Sequence, residues 1–195
     1  MQKQLQILNN WQINKSWTLF LDRDGIINKK IENGYVKKWD DFEFLPDAIS
    51  SLKVLSKLFS KIFIVTNQRG IGRGLMSEQD LNAIHKQMLS IFEQNDIHIN
   101  KIYYCPHDHE RESCNCRKPA IGLALQAKKD FPDIDFMHSL MIGDAVSDVL
   151  FGRNAGMKNC YIGNTIAEAV IAEDVISFDS LSDFIRTLLL IHVTK

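Results

Sequence analysis

Asp22 and Asp24 flank Arg23 directly after a short apolar run, Thr18-Leu19-Phe20-Leu21. Two carboxyl groups on one loop suit phosphoryl transfer. One can attack phosphorus and form an aspartyl phosphate, splitting a hard displacement into two easier steps. The other can protonate the leaving oxygen and then activate water. A plainer role competes, because Asp-Gly at 24–25 between apolar runs is a hairpin signal, and the segment alone favours it. Asp144 and Asp148 follow a second apolar run, Leu140-Met141-Ile142-Gly143. Each alone fits a helix start, as N-cap and solvated first-turn acid. If Asp144 instead meets Asp22, the facing carboxylates and a phosphate need a hard cation between them. Magnesium suits oxygen ligands in an octahedral shell, and Asp22, Asp144 and the backbone carbonyl of Asp24 would hold it.

Cys105-Pro106-His107 and, six residues on, Cys114-Asn115-Cys116 form a second constellation. Three thiolates and one imidazole make a closed tetrahedral zinc set, so Cys105, His107, Cys114 and Cys116 are expected to hold a structural zinc. Asp108, His109, Glu110, Arg111 and Glu112 are too polar for a core, which argues against buried free thiols. His109 stands as an alternative to His107. Crowded cysteines without a secretion signal read as metal ligands before disulfides. Arg117 and Lys118 follow the last ligand, so the metal loop would fix them as a phosphate clamp, one a fork and the other a point charge. Thr66-Asn67 closes another apolar run and offers a hydroxyl and free N–H groups to phosphoryl oxygens. Cys160 reads as an inert core residue. His85, His98, His138 and His192 sit singly, with nothing to tie them to a site.

Elements must bring these residues together. Apolar runs at 18–21, 61–66, 102–104, 140–142, 160–162 and 175–178 read as strands. Helical spacing appears between them: Ile49, Leu52, Leu55, Leu58 and Phe59 after Pro46, then Leu81, Ile84, Met88, Ile91 and Phe92 after a Ser77/Asp80 cap. Further helices are expected near 121–130, 145–155 and 180–191. Gly70-Ile71-Gly72-Arg73-Gly74 matches neither the dinucleotide nor the P-loop spacing and reads as a flexible connector. Doubly apolar strands joined by helices predict a parallel sheet covered on both faces, with ligands beyond the carboxyl ends of its strands.

The whole chain, 1–195, is expected to form one phosphatase domain, with a core over 17–191 and an N-terminal extension over 1–16. A net charge of −1 gives no overall basic field for nucleic acid or an anionic membrane. The polar start lacks the apolar core of a leader, and Leu188 to Ile191 is far too short to span a bilayer. A cytoplasmic monomer acting on a small phosphorylated molecule is the expectation.

Asp22-Arg23-Asp24-Gly25, Thr66-Asn67-Gln68, Lys118 and Gly143-Asp144 with Asp148 resemble the four motifs of the haloacid dehalogenase phosphatase superfamily. The Cys-Pro-His…Cys-x-Cys-Arg-Lys-Pro segment is similar to the histidinol-phosphatase-like branch. Within that branch, Phe20 to Phe44 and Gly70 to Gly74 most resemble the D-glycero-D-manno-heptose 1,7-bisphosphate 7-phosphatases, and the likeness runs from Thr18 to Gly163. The resemblance implies a Rossmann-like α/β fold without a large cap domain and hydrolysis of the 7-phosphate. It implies Asp22 as nucleophile and Asp24 as proton donor. Glu32, Asn33, Gly34 and Tyr35 would contact the sugar, Thr66, Asn67, Gln68 and Arg69 the phosphate, and Arg117 and Lys118 would recognise the substrate. Ala145 stands where the heptose enzymes often carry a substrate-contacting lysine, and the six-residue zinc loop is as short as in histidinol-phosphate phosphatases. Histidinol phosphate is thus the rival substrate, and a silent zinc-stabilised binding module the rival of a different class.

Overall fold

Strands with apolar residues at every position have to be covered on both sides, and the chain does this with helices. The computed structural model describes residues 2–163 and 175–193. Six strands form one parallel sheet in the order β3-β2-β1-β4-β5-β6: β1 (Thr18–Leu21), β2 (Lys61–Asn67), β3 (Lys101–Cys105), β4 (Ser139–Gly143), β5 (Lys158–Ile162) and β6 (Val175–Phe178). The chain builds outward from β1 to β3, returns to the other side of β1 at β4, and builds outward again. Strand order therefore reverses between β1 and β4, where a parallel sheet opens a crevice at its carboxyl edge.

Successive side chains point to opposite faces. Leu19, Leu21, Ile62, Ile64, Leu140 and Ile142 meet α1 (Gln2–Trp11), α2 (Ala48–Leu58), α4 (Glu78–Gln94) and α7 (Leu181–Val193) in one core. Phe20, Phe63, Val65 and Met141 meet α5 (Gly122–Asp130) and α6 (Val146–Ala155) in the other. Each such side chain contributes roughly 1.5–3 kcal/mol by leaving water. The parallel pairing of β1 on both flanks, Leu21 against Ile64 and Ile142, rules out the hairpin at Asp24-Gly25.

Within the N-terminal extension α1 buries Leu8, and Ile13 and Trp17 follow it into the core. One segment differs from expectation. The stretch read as a flexible connector forms a helical turn, α3 (Arg69–Gly72). Gly72 is small because a Cβ there would come within 2.5 Å of the Asp108 nitrogen and 2.8 Å of the Pro106 oxygen. Its N–H donates to Pro106 O at 2.8 Å, so close backbone approach decides the residue. At Ser77 the cap forms as read: its hydroxyl accepts from the Asp80 N–H, and the Asp80 carboxylate accepts from the Ser77 N–H at 2.8 Å.

Candidate active site

The reversal point gathers the carboxylates. Asp22 extends β1 and donates its N–H to Ile142 O at 2.9 Å, which fixes it beside the end of β4. Asp144 and Asp148 come from the β4–α6 junction, and one oxygen from each of Asp22, Asp144 and Asp148 lies within 4.8 Å of the others. Gly25 makes this approach possible. Its φ is +94°, and a Cβ there would sit 2.2 Å from Asp144 Oδ2. Lys118 enters from the loop after the cysteines. It is almost fully buried, and its Nζ lies 2.9 Å from Asp22 Oδ1, 2.7 Å from Asp148 Oδ1 and 2.7 Å from Val65 O. Burial pulls its pKa down, but Asp148 and Asp22 outweigh that and hold the ammonium above the usual lysine value. Burial raises Asp22 to about 6, with Lys118 opposing. Asp144 is also raised by burial, against Lys30, whose Nζ donates to its Oδ2 at 2.7 Å. The other Asp144 oxygen is buried without a hydrogen-bond partner, which fits a divalent cation and its oxygen-rich shell.

Asp24 is held differently. Both its oxygens accept from Arg23 Nη2 at 3.0 Å; Oδ1 also accepts from Asn28 at 2.9 Å, and Oδ2 from Gln68 at 2.9 Å. Burial would raise its pKa, but the Arg23 charge and these hydrogen bonds prevail and keep it below the usual value. On the far side of the guanidinium, Nη1 sits 3.2 Å from His85 Nε2. His85 is buried on α4 and thus tied to the site, contrary to the sequence reading. Burial and the Arg23 charge press its pKa down to about 3, so the ring is neutral.

The loop after β2 is largely engaged in holding its neighbours. Gln68 also donates to the buried Thr66 hydroxyl at 2.8 Å, so its amide is turned onto Asp24 and Thr66. Asn67 exchanges two hydrogen bonds with the backbone of Lys118, at 3.0 and 3.2 Å. Arg69 pairs with Asp108 and Glu110, both at 2.5 Å, and so ties this loop to the cysteine loop. There Cys105, His107, Cys114 and Cys116 each bring one donor atom within 4.8 Å of the others. The Cys105 and Cys116 sulfurs are 3.0 Å apart, and His107 Nδ1 lies 3.1 Å from Cys116 Sγ. The set contains His107 and not the alternative His109. Burial pushes the Cys114 thiol up, but hydrogen bonds from the Arg117 N–H and the neighbouring thiols outweigh it and bring it to about 7. Burial holds the Cys105 and Cys116 thiols above the usual value, so a cation bound there would have to displace their protons. Cys160 is buried in the core, as read.

Beside Asp24 opens a polar cleft of about 550 Å³. Of the residues assigned to substrate, Asn33, Gly34, Tyr35, Asn67, Gln68 and Arg69 line it, while Glu32 is exposed outside the lining. Thr66, Arg117 and Lys118 are not among the cleft's lining residues. Lys30 and Arg73 line it too, and neither was singled out by sequence. No spacing rule marks an exposed cation on a loop, so only the fold reveals them. His98 and His138 are exposed, the latter paired with Asp135 at 2.7 Å, and the His192 side chain lies outside the described residues.

A parallel sheet with a buried lysine and clustered carboxylates at its reversal point is the arrangement of a haloacid dehalogenase-type phosphatase. Comparison with known proteins agrees. A family model described as polynucleotide kinase 3 phosphatase matches residues 19–174. A Campylobacter jejuni D-glycero-alpha-D-manno-heptose-1,7-bisphosphate 7-phosphatase is 43% identical over 150 residues, covering 77% of this chain and 84% of the relative. A Helicobacter pylori D-glycero-beta-D-manno-heptose-1,7-bisphosphate 7-phosphatase is 43% identical over 148 residues, covering 75% and 83%. The crystal structure of a D,D-heptose 1,7-bisphosphate phosphatase from B. bronchiseptica, complexed with magnesium and phosphate, superposes with a TM-score of 0.80 at 26% identity, covering 89% of this chain and 98% of that one. The chain belongs to the family which that model describes, together with the heptose-bisphosphate phosphatases, within the haloacid dehalogenase superfamily. It is a phosphoric monoester hydrolase. Among the described residues no helix is long and apolar enough to cross a membrane.

Proposed function

We propose that the chain hydrolyses the 7-phosphate of D-glycero-D-manno-heptose 1,7-bisphosphate, with Asp22 as nucleophile and Asp24 as acid and base. The observation that carries this is the Asp22 carboxylate, set 2.9 Å from a buried ammonium beside a polar cleft of about 550 Å³. Asp22, Asp144 and the Asp24 carbonyl would hold magnesium, with Asp148 near enough to join them. Magnesium, when bound, offsets the negative charge of the carboxylates and of the phosphate they face. Asp22 attacks phosphorus in line with the departing sugar oxygen, and Lys118 faces the charge that gathers on the equatorial oxygens. Asp24 rests as a carboxylate, the form that activates water in the second step. To donate in the first step it must hold a proton, and an approaching phosphate dianion raises its pKa by like-charge repulsion. Zinc at Cys105, His107, Cys114 and Cys116 would be structural. Through Asp108 and Arg69 it would steady the loop that carries Gln68.

The cleft supports a bisphosphate over a monophosphate. Lys30 and Arg69 already meet carboxylates, whereas Arg73 makes no ion pair among the described residues, leaving it to meet the distal phosphate. The family model's description names a polynucleotide kinase 3 phosphatase, but a net charge of −1 supplies no strand-binding field. A turnover screen tests the reading. Both anomers of the heptose bisphosphate, histidinol phosphate and a 3′-phosphorylated oligonucleotide are compared by kcat/KM. A clear preference for a heptose bisphosphate is expected, and a higher value for either of the other two would replace it.

A further inference from the structure

Arg23 lies between the two catalytic carboxylates in sequence yet is itself fully buried. A guanidinium stays charged in a protein and carries only donors, so its burial has to be matched by acceptors. Nη2 has both Asp24 oxygens at 3.0 Å, and Nε has no partner. On the side away from Asp24, the contact of Nη1 is His85 Nε2 at 3.2 Å. Because arginine can only donate, Nε2 must accept, and the ring proton belongs on Nδ1. His85 is itself fixed. It sits on the α4 face that carries Leu81, Ile84 and Met88 into the core, with the Tyr104 ring edge-on at 6.2 Å. Its other side borders a surface cleft of about 670 Å³ between α4 and β3, which Lys86, Leu89 and Tyr104 also line. The imidazole thus stands between water in that cleft and a buried cation.

We infer that His85 is a positioning residue for the acid/base Asp24, holding the Arg23 guanidinium from behind so that its other edge keeps the carboxyl aimed at the leaving oxygen. Of the three side chains that hold Asp24, only Arg23 is charged, and it draws its second anchor from α4. Without the Nε2 acceptor, Nη1 would lack a partner. The planar group would turn toward water entering over α4 and carry Nη2 away from Asp24. Asn28 and Gln68 would remain, so Asp24 would stay in the site but lose its orientation.

This rests on the reading of Asp24 as proton donor, and the leaving group separates the two claims. A nitrophenolate departs without a proton, whereas an alkoxide needs one. We compare kcat/KM, which reports the step where the leaving group departs, for p-nitrophenyl phosphate and for the alkyl phosphate the wild type hydrolyses best. For His85→Leu the alkyl value should fall ~10–100-fold, a large part of what general acid catalysis supplies, and the nitrophenyl value less than ~3-fold. His85→Gln, whose carbonyl oxygen can accept from Nη1, should recover most of the loss. Equal losses on both substrates, or no rescue by glutamine, would reduce His85 to packing and overturn the inference. Asp24→Asn is run alongside. Alkyl-selective loss there but not in His85→Leu refutes His85 alone, whereas no selectivity in Asp24→Asn removes the acid role itself. Imidazole ¹⁵N shifts of the wild type need no variant to fold. The neutral Nδ1–H tautomer is expected from pH 5 to 8, and an Nε2–H tautomer or imidazolium would contradict it.

Discussion

Replacing Lys118 with methionine keeps most of the side chain's apolar volume and removes only the cation. In the native protein that ammonium lies 2.9 Å from Asp22 and 2.7 Å from Asp148, with Asp144 in the same cluster. Its loss leaves buried carboxylates facing one another with no protein cation among them but the exposed Lys30. Removing one partner of a buried ion pair costs roughly 3–5 kcal/mol, most of it from the charge left behind. For a chain of this length each kcal/mol moves the melting point by about 2–4 °C, so Lys118→Met should melt roughly 6–20 °C lower in EDTA. Magnesium at the proposed Asp22–Asp144 site would meet the charge cluster that the lysine formerly balanced, so the variant should recover more of its melting temperature on adding Mg²⁺ than the wild type gains. Phosphate release should fall by ~10²–10³, the usual cost of a lost charge-stabilising donor. Thermal melts with and without Mg²⁺ and a phosphate-release assay measure all three. A melting point within about 2 °C of wild type in EDTA would refute the buried bridge.

Cys114→Ser should release zinc and loosen the loop that anchors Arg69. Metal analysis reads this, and a variant that keeps one zinc per chain would contradict the ligand set. Arg73→Ala should raise KM for the bisphosphate ~10-fold or more, in line with a charged hydrogen bond, and leave p-nitrophenyl phosphate nearly unchanged; equal effects on both would exclude a distal-phosphate contact. His85 makes stability depend on pH. The unfolded chain protonates it below its ordinary 6.5, while the folded chain keeps it neutral down to about 3. Stability is therefore lost as pH falls through that window, by up to about 1.4 kcal/mol per pH unit from this residue. Denaturant titrations of His85→Gln from pH 7 to 4 should show a correspondingly shallower decline, and parallel curves would refute the neutral buried ring.

What the sequence made legible follows from what burial writes into it. Strands covered on both faces are apolar throughout, so Thr18 to Leu21 and Leu140 to Ile142 announce themselves, and the residues just after them form the candidate site. The metal-type cysteines are equally plain, since Cys105, Cys114 and Cys116 stand in polar company. Roles set by contact across the fold were hidden. Gln68 follows Thr66-Asn67 and looks like a phosphate ligand, but its amide faces Asp24. Asp148 resembles a solvated first-turn acid until Lys118 is placed against it. His85 did leave a trace: it falls four residues after Leu81 and three before Met88, on the buried stripe of α4, where a lone polar group must find a partner. The α1 helix was obscured by its polar majority, because only Leu8 needs to be buried deeply to dock it.

The central claim is that Asp22 carries the phosphoryl group. An acyl phosphate is reduced by borohydride, whereas a free carboxylate is not, so turnover quenched in borohydride and mapped by peptide mass spectrometry marks the nucleophile. The account predicts homoserine at position 22, dependent on substrate and Mg²⁺. Homoserine at position 24 or 144, or an unmodified Asp22 during full turnover, would contradict it.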